Sequence, residues 1–412
     1  VARMKILFVH QNCPAQYVHL ARHLAAISGN QVVFITQRQD ASLPNVRKIV
    51  YKPNRVPGKE THRYLGSVEA GVLNAQEVAR VALQLKQSGF VPDVMLGHNG
   101  WGEIWYLKDV FPRVPLIGYF EFFYRFRGAD VGFDPEFQAS FDDAPRLRTR
   151  NMANLIGLDA ADLGQTASLW QKSVHPVAYQ SRLQVIHEGI DTEIVTPNAN
   201  ARLRLTDIGI ELTRADEVIT YVARNLEPYR GFHSFIRSLP AILDQRSNAR
   251  VVIIGGDEIS YGAKLKDGAT YKQHLLAELG STLDLTRVHF LGKVPYPVYL
   301  SVLQISSVHV YLTYPFVLSW SMLEAMSAGC LLVASKTAPV EEVIRDGENG
   351  LLVDFFSAEE ISGRVVDALN AGQDGYTDIR KNARNTILEQ YDLKTICLPA
   401  QLRLLESALH EI

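Results

Sequence analysis

The chain has 412 residues, more than one ordinary hydrophobic core accommodates, which calls for two or three domains. Hydrophobic residues make up 47% and charged residues 21%, the balance of a folded soluble protein, and a formal net charge of -2 gives no global basic field for nucleic acid. Three scattered cysteines (Cys13, Cys330 and Cys397) form no CxxC pair, so neither a disulfide framework nor a zinc site is expected, and a reducing, cytoplasmic setting is.

In chain order, short apolar runs alternate with helical patterns. "KILFVH" (5–10) is followed by the helical stripe of "QYVHLARHLAA", then "QVVFIT" (31–36), "VRKIVY" (46–51), a long helix near 68–88, "DVMLG" (93–97), "PLIGYF" (115–120) and short strands at 163–166 and 183–187. The polar stretch 191–209 has no clear period and reads as a connection between two sheets. The pattern then restarts with "EVITYVA" (217–223), "RVVIIGG" (250–256), "VHFLG" (288–292), "VHVYLT" (308–313), "LLVAS" (331–335) and "GLLV" (350–353). Runs that are apolar throughout suit parallel strands buried on both faces, and their alternation with helices predicts two Rossmann-like, doubly wound α/β domains, 4–200 and 205–392. Ligands of such sheets bind at the carboxyl ends of strands, and two such edges facing each other leave a central cleft. The last segment, 393–412, is amphipathic with both charge signs, a helix packed on a core rather than a membrane anchor. No run approaches the ~18 apolar residues of a membrane span, and the first one lacks a signal-peptide cleavage site.

Three strand-end segments of the second half have binding chemistry. In "VARNLEPYRGFHSF" (222–235), Arg224 and Arg230 flank a turn and Gly231 opens a helix. Two guanidinium groups beside the free N–H groups of a helix N-terminus can hold a diphosphate, although a solvated loop with two surface arginines has the same composition. In "IIGGDE" (253–258) the glycine pair ending at Gly256, next to Asp257, permits close backbone approach. In the third, the strand "VHVYLT" leads through the loop "YPFVLSW" into the helix "SMLEAMSAG", closed by Gly329. Val317, Leu318 and Ser319 present N–H groups near that helix start. Glu324, about a turn further, cannot hold phosphate but can accept paired hydrogen bonds from a ribose diol; taken alone it is a solvated charge.

In the first half, "DVMLGHNGWGEIWYL" places His98 and Asn99 at a strand end, followed by Gly100, Trp101 and Gly102, with Glu103 beginning a helix. The two glycines would let backbone approach a ligand. "HQNCPAQY" repeats the theme with Gln11, Asn12 and Gln16 as donors to a hydroxyl-rich ligand, and "GYFEFFYRFRG" sets Glu121 among aromatic rings, a lining that suits a sugar. No His/Cys/Asp/Glu set has metal-ligand spacing, so no metal ligand is assigned, and no GxSxG elbow or Walker loop is present.

On these segments the sequence resembles a family-4 retaining glycosyltransferase of the GT-B fold, over nearly the whole chain. "VARNLEPYRG" is similar to the family's "GR…KG", with Arg224 at the arginine and Arg230 at the lysine; "LEAMSAGCLLVASKTAPVEEVIRDGENGLLVD" and "VIHEGIDTEIVTP" match its long helix–strand motif and its crossover. The resemblance implies that Arg224 and Arg230 hold the donor diphosphate, with His98 completing the catalytic set. It implies that Glu324 binds ribose, that Gly256, Asp257, Lys293 and Val294 lie near the base, and that the 317–319 backbone cradles phosphate. The donor would be a UDP- or GDP-type sugar with no further cofactor and no metal, and the acceptor a hydroxyl of a glycan, lipid-linked glycan or small molecule. The final helix would return to the first domain. A cytoplasmic protein results, with attachment to the inner membrane face and oligomerisation both compatible.

The departures fall on the sugar side. The family's Glu-x7-Glu ends at Glu324, but its first position is Phe316; the usual glycines are Val317 and Ser319, "NCPAQ" replaces the first-domain glycine loop, and a histidine common after the "PLIGYF" run is Glu121. Gln11, Asn12, Gln16, His98, Asn99, Trp101, Glu121 and Phe316 are the candidates for sugar or acceptor. Displacing a nucleotide diphosphate needs leaving-group stabilisation above all, which arginines and helix dipoles supply. No carboxylate pair of the kind retaining hydrolases hold ~5–5.5 Å apart is identifiable, and a front-face attack needs none. A nucleotide-sugar epimerase of the same architecture, and a relative that binds a nucleotide sugar without transferring it, stand as alternatives.

Overall fold

The computed structural model describes residues 3–372 and 374–410. Two compact units form: one runs from the N-terminus to Gly189 and takes in the chain from Leu393 onward, and the other is Ile190–Asp392.

The first unit begins with β1 (Lys5–Val9), α1 (Val18–Ala26), β2 (Gln31–Thr36), β3 (Val46–Val50), α2 (Gly66–Gln87), β4 (Val94–His98), α3 (Leu107–Val110) and β5 (Leu116–Tyr119). It continues with α4 (Asp143–Ala160), β6 (Leu163–Thr166), α5 (Leu169–Val174), α6 (Val177–Gln180) and β7 (Leu183–Val185). The second unit holds β8 (Arg202–Leu205), β9 (Ile210–Thr213), β10 (Val218–Asn225), α7 (Phe232–Gln245), β11 (Arg250–Gly256), α8 (Tyr271–Leu279), β12 (Val288–Gly292) and α9 (Tyr296–Ile305). After these come β13 (Val308–Tyr311), α10 (Trp320–Ser327), β14 (Leu332–Ser335), α11 (Ala338–Glu341), β15 (Leu351–Val353), α12 (Ala358–Asn370) and α13 (Thr377–Gln390). The last helix, α14 (Leu398–His410), is part of the first unit.

The first sheet has seven parallel strands in the order β3-β2-β1-β4-β5-β6-β7, and the second six in the order β12-β11-β10-β13-β14-β15. All thirteen strands read from the sequence are present. They form because alternate residues of each run meet different helix layers. Ile6, Phe8, Val94 and Leu96 pack toward α1 and α14, whereas Leu7, Val9 and Met95 join Val78 and Ala82 of α2 on the opposite face. In both sheets the chain order reverses between two neighbouring strands, β1 and β4 in one, β10 and β13 in the other. At such a switch point the two connections leave in opposite directions and open a crevice beyond the carboxyl ends.

Two local readings are corrected. The stretch 191–209 is not all connection: β8 and β9 pair antiparallel as a hairpin whose Leu203, Leu205 and Leu212 cover β10, β11 and α9. Its Arg-Leu-Arg-Leu and Ile-Glu-Leu-Thr alternation was the available signal. Glu103 does not begin a helix: it lies in a turn, and the next helix starts at Leu107. Gly102 (φ 89°) also serves a different end from the one expected. A Cβ there would meet the Gly71 carbonyl at 2.5 Å, so the close approach is to α2.

Candidate functional site

In the second unit, β10 ends at Asn225 and the chain turns through a single 3-10 turn, Pro228–Arg230, into α7. Gly231 (φ 66°) makes that turn, and a Cβ there would lie 2.3 Å from Leu312 Cβ, so no other residue fits. The two arginines end up in unlike surroundings. Arg224 is exposed. Arg230 is buried, and its Nη1 donates to Thr313 Oγ1 and the Val317 carbonyl (both 2.8 Å) and to the Tyr311 hydroxyl (3.3 Å). This one side chain therefore ties the end of β10 to the loop after β13.

Glu227, beside Arg230, is also buried, and nothing in the sequence marked it. Its carboxylate accepts backbone N–H bonds from Ser260 (3.0 Å), Tyr261 (3.1 Å) and Gly262 (2.9 Å). Burying a charge is tolerated where several donors replace its water, as here. The result is a strap: the loop after β11 is held down, with the Tyr261 ring centred 5.5 Å from the Arg230 guanidinium carbon. Phe316 completes the group, 5.0 Å from Tyr261 and 5.4 Å from Tyr229 between ring centroids. Where the resemblance implies a carboxylate, this chain has a buried phenylalanine ring packed against two less buried tyrosines.

Glu324 sits half-buried in α10. Its two oxygens accept hydrogen bonds from Tyr296 (2.7 Å) and Tyr299 (2.5 Å), both on α9. Burial raises its pKa and these two donors oppose the rise. It is not a solvated charge. Ser319 is the N-cap of α10, its hydroxyl accepting from Ser321 N, while its own N–H donates to the Tyr311 hydroxyl (2.9 Å). Of the 317–319 backbone, one N–H and the Val317 carbonyl are thus engaged internally.

The residues expected near a base surround the ends of β11 and β12. The Gly256 carbonyl accepts from Leu226 N. Asp257 pairs with Lys272 and Lys293 with Glu258, both at 2.6 Å, and Val294 packs on the cluster under β10 and β11.

In the first unit the ends of β1 and β4 lie side by side. His10 Nδ1 accepts from Asn12 N (2.8 Å), which leaves the proton of the neutral ring on Nε2, 2.8 Å from Gln16 Oε1. His98 repeats this: Nδ1 accepts from Gly100 N (2.9 Å), so Nε2 carries the proton. That nitrogen is buried without a hydrogen-bond partner among the described residues, 3.9 Å from Glu121 Oε2. Burial, followed by the neighbouring His10, holds the His98 pKa well below the usual histidine range, so the ring is a neutral N–H donor at pH 7. Gln16 reaches Glu121 Oε1 at 3.5 Å, and the Gln11 carbonyl accepts from Thr36 Oγ1. Asn99 is saturated: its Nδ2 donates to Ala153 O and Asn154 Oδ1, and its Oδ1 accepts from Trp105 Nε1. It clips the turn to α4.

Beside these residues opens a cavity of about 270 Å³, lined by Asn74, Trp101, Trp105, Glu121, Tyr124 and Arg150 among others. The Arg150 guanidinium lies 3.8 Å from the centre of the Tyr124 ring. Trp101 and Glu121 were singled out in the sequence, but Arg150 and Asn74 were not. They sit on helices far along the chain, and only tertiary packing brings them here.

Two family models match: "Glycosyl transferase family 4 group" over residues 28–195 and "Glycosyl transferases group 1" over 206–386. The chain belongs to the group 1, family-4 glycosyltransferases, which transfer a sugar from a nucleotide sugar with retention, and its fold is of the GT-B type. D-inositol 3-phosphate glycosyltransferase of Acidothermus cellulolyticus is 26% identical over 86% of this chain and 77% of its own. Other D-inositol 3-phosphate glycosyltransferases are matched over only about half their length. Sucrose-phosphate synthase from Thermosynechococcus elongatus superposes with a TM-score of 0.71 at 18% identity, covering 99% of this chain and 100% of that one. Anabaena HepE in complex with UDP-glucose gives 0.66 at 17%, covering 98% and 100%. Among the described residues no helix is long and apolar enough to cross a membrane.

Proposed function

We propose that the second unit holds the donor nucleotide diphosphate and the first unit a hydroxyl acceptor, to which a hexose is transferred. The observation that carries this reading is the grip of Arg230 on the loop that leads to Glu324: cation, N–H-rich loop and carboxylate belong to one rigid piece at a switch point. Glu324 accepts from the ribose hydroxyls, and the exposed Arg224 meets the diphosphate at the N-terminus of α7. Arg230 lies beneath and completes the charge once the Tyr261 ring shifts. Preorganised positive charge at the leaving diphosphate is the chief requirement of the reaction. His98 offers its Nε2–H, and Glu121 its carboxylate, to hydroxyls entering the cavity. HepE's UDP-glucose favours a uridine donor over guanosine.

Calorimetric titration with UDP, GDP, UDP-glucose and GDP-mannose tests the reading. One nucleotide family is expected to bind at micromolar concentration, and its sugar to be transferred to a polyol acceptor. No binding below millimolar would sink it. Phe316 motivates a second reading, a nucleotide-sugar binder without transfer, because an aromatic ring replaces the implied carboxylate. Tight binding with no sugar release in any acceptor screen would favour that one.

A further inference from the structure

Both oxygens of Glu324 are already engaged, Oε1 by the Tyr296 hydroxyl and Oε2 by that of Tyr299. The two tyrosines stand three residues apart on one face of α9, with ring centroids 5.5 Å apart. Their surroundings differ. Tyr299 packs against the cluster formed by α10, α13 and β13. Tyr296 is the first residue of α9, after Pro295, and is 48% exposed.

That difference decides which bond can be given up. A phenol and a ribose hydroxyl are equivalent donors to a carboxylate, so replacing one with the other is close to neutral. A displaced Tyr296 hydroxyl passes to water. A displaced Tyr299 would leave a polar group without a partner in an apolar cluster, which costs more than the new bond returns.

We propose that Tyr299 is a fixed positioning residue that aims the Glu324 carboxylate, and that the Tyr296 hydroxyl is an exchangeable stand-in for one ribose hydroxyl, released when nucleotide binds. This rests on the reading of Glu324 as the ribose-holding group. It makes the ribose subsite self-occupied before the donor arrives, so that the carboxylate is not left half-buried without donors.

The test compares UDP and GDP with their 2′,3′-dideoxy counterparts on the full chain, as wild type, Tyr299→Phe and Tyr296→Phe. Wild type is expected to favour the ribonucleotide only by a few-fold, because the bond to the Tyr296 hydroxyl is given up for the one made to the ribose. Tyr299→Phe is expected to lose most of that preference while its dideoxynucleotide affinity stays unchanged, which also certifies the fold. Tyr296→Phe, with no bond to surrender, is expected to widen the preference to about 10-fold or more, the size of a charge-assisted bond, and to bind the ribonucleotide as tightly as wild type or tighter. An undiminished preference in Tyr299→Phe, or one in Tyr296→Phe no wider than that of wild type, overturns the inference and leaves the ribose reading standing. Absence of any preference in both wild type and Tyr296→Phe overturns the inference and the ribose reading together.

Discussion

At Arg230 the guanidinium spends three hydrogen bonds on its own unit, while six residues earlier Arg224 extends into solvent. Substitution should separate the two. Arg224→Ala is expected to weaken nucleoside-diphosphate binding by about 10-fold with an unchanged melting temperature, because only a ligand contact is lost. Arg230→Ala should weaken binding and also destabilise by about 3 kcal/mol, since Thr313 and the Val317 carbonyl lose their donor in a buried place. Thermal unfolding alongside titration checks both; equal melting temperatures for the two variants would contradict the burial argument. From the sequence the pair was legible as charges near a helix start, but not their division of labour. Burial is a property of what folds over a residue, and the Tyr261 strap that covers Arg230 is set by Glu227, which reads as an ordinary loop glutamate. Tyr296 and Tyr299 escaped for the same reason: in "KVPYPVYL" they are two helix tyrosines until α10 is laid beside them.

Elements were the most legible level. Parallel strands buried on both faces announce themselves as unbroken apolar runs, whereas the β8–β9 hairpin, four residues to a strand and half exposed, sits in a polar stretch and was missed. The turn into α7 was legible as well, since Gly231 must take a positive φ. Gly231→Ala combines that strain with a Cβ driven against Leu312, and a destabilisation of about 3 kcal/mol is expected. Denaturant unfolding measures it, and a loss below about 1 kcal/mol would show that β13 yields.

Across the whole molecule, buried neutral histidines set the response to acid. His10 is depressed to about 4 by burial, partly offset by Gln16; His175 likewise to about 4; and His98 and His187 are lowered as well, all four in the first unit. In the second, His309 is depressed to about 3. Between the folded values and 6.5 the unfolded chain binds more protons, so stability falls as pH drops through that window. His10 alone accounts for up to about 3 kcal/mol. Glu103 opposes this: burial lifts it to about 7, so its penalty is absent near pH 4.5 and grows as pH rises. Four histidines outweigh one glutamate, and the first unit should melt first at pH 5. Trp101, Trp105 and Trp170 lie there and Trp320 in the second unit, so tryptophan fluorescence reports mainly on it. A transition temperature unchanged between pH 7 and pH 5 would refute the prediction.

The last helix, α14, completes the first unit: Leu404, Leu405 and Ala408 close the sheet face formed by Ile6, Phe8 and Leu96. The second unit is contiguous, and its ends meet where Ile190 bridges to Asp392. On the ribosome this inverts the usual order, in which N-terminal domains fold first. The second unit can close while the first still waits, one face of its sheet covered by α1 alone, for α14 to be made. A nascent chain halted just before Leu398 should therefore carry a folded second unit behind a chaperone-dependent N-terminal one.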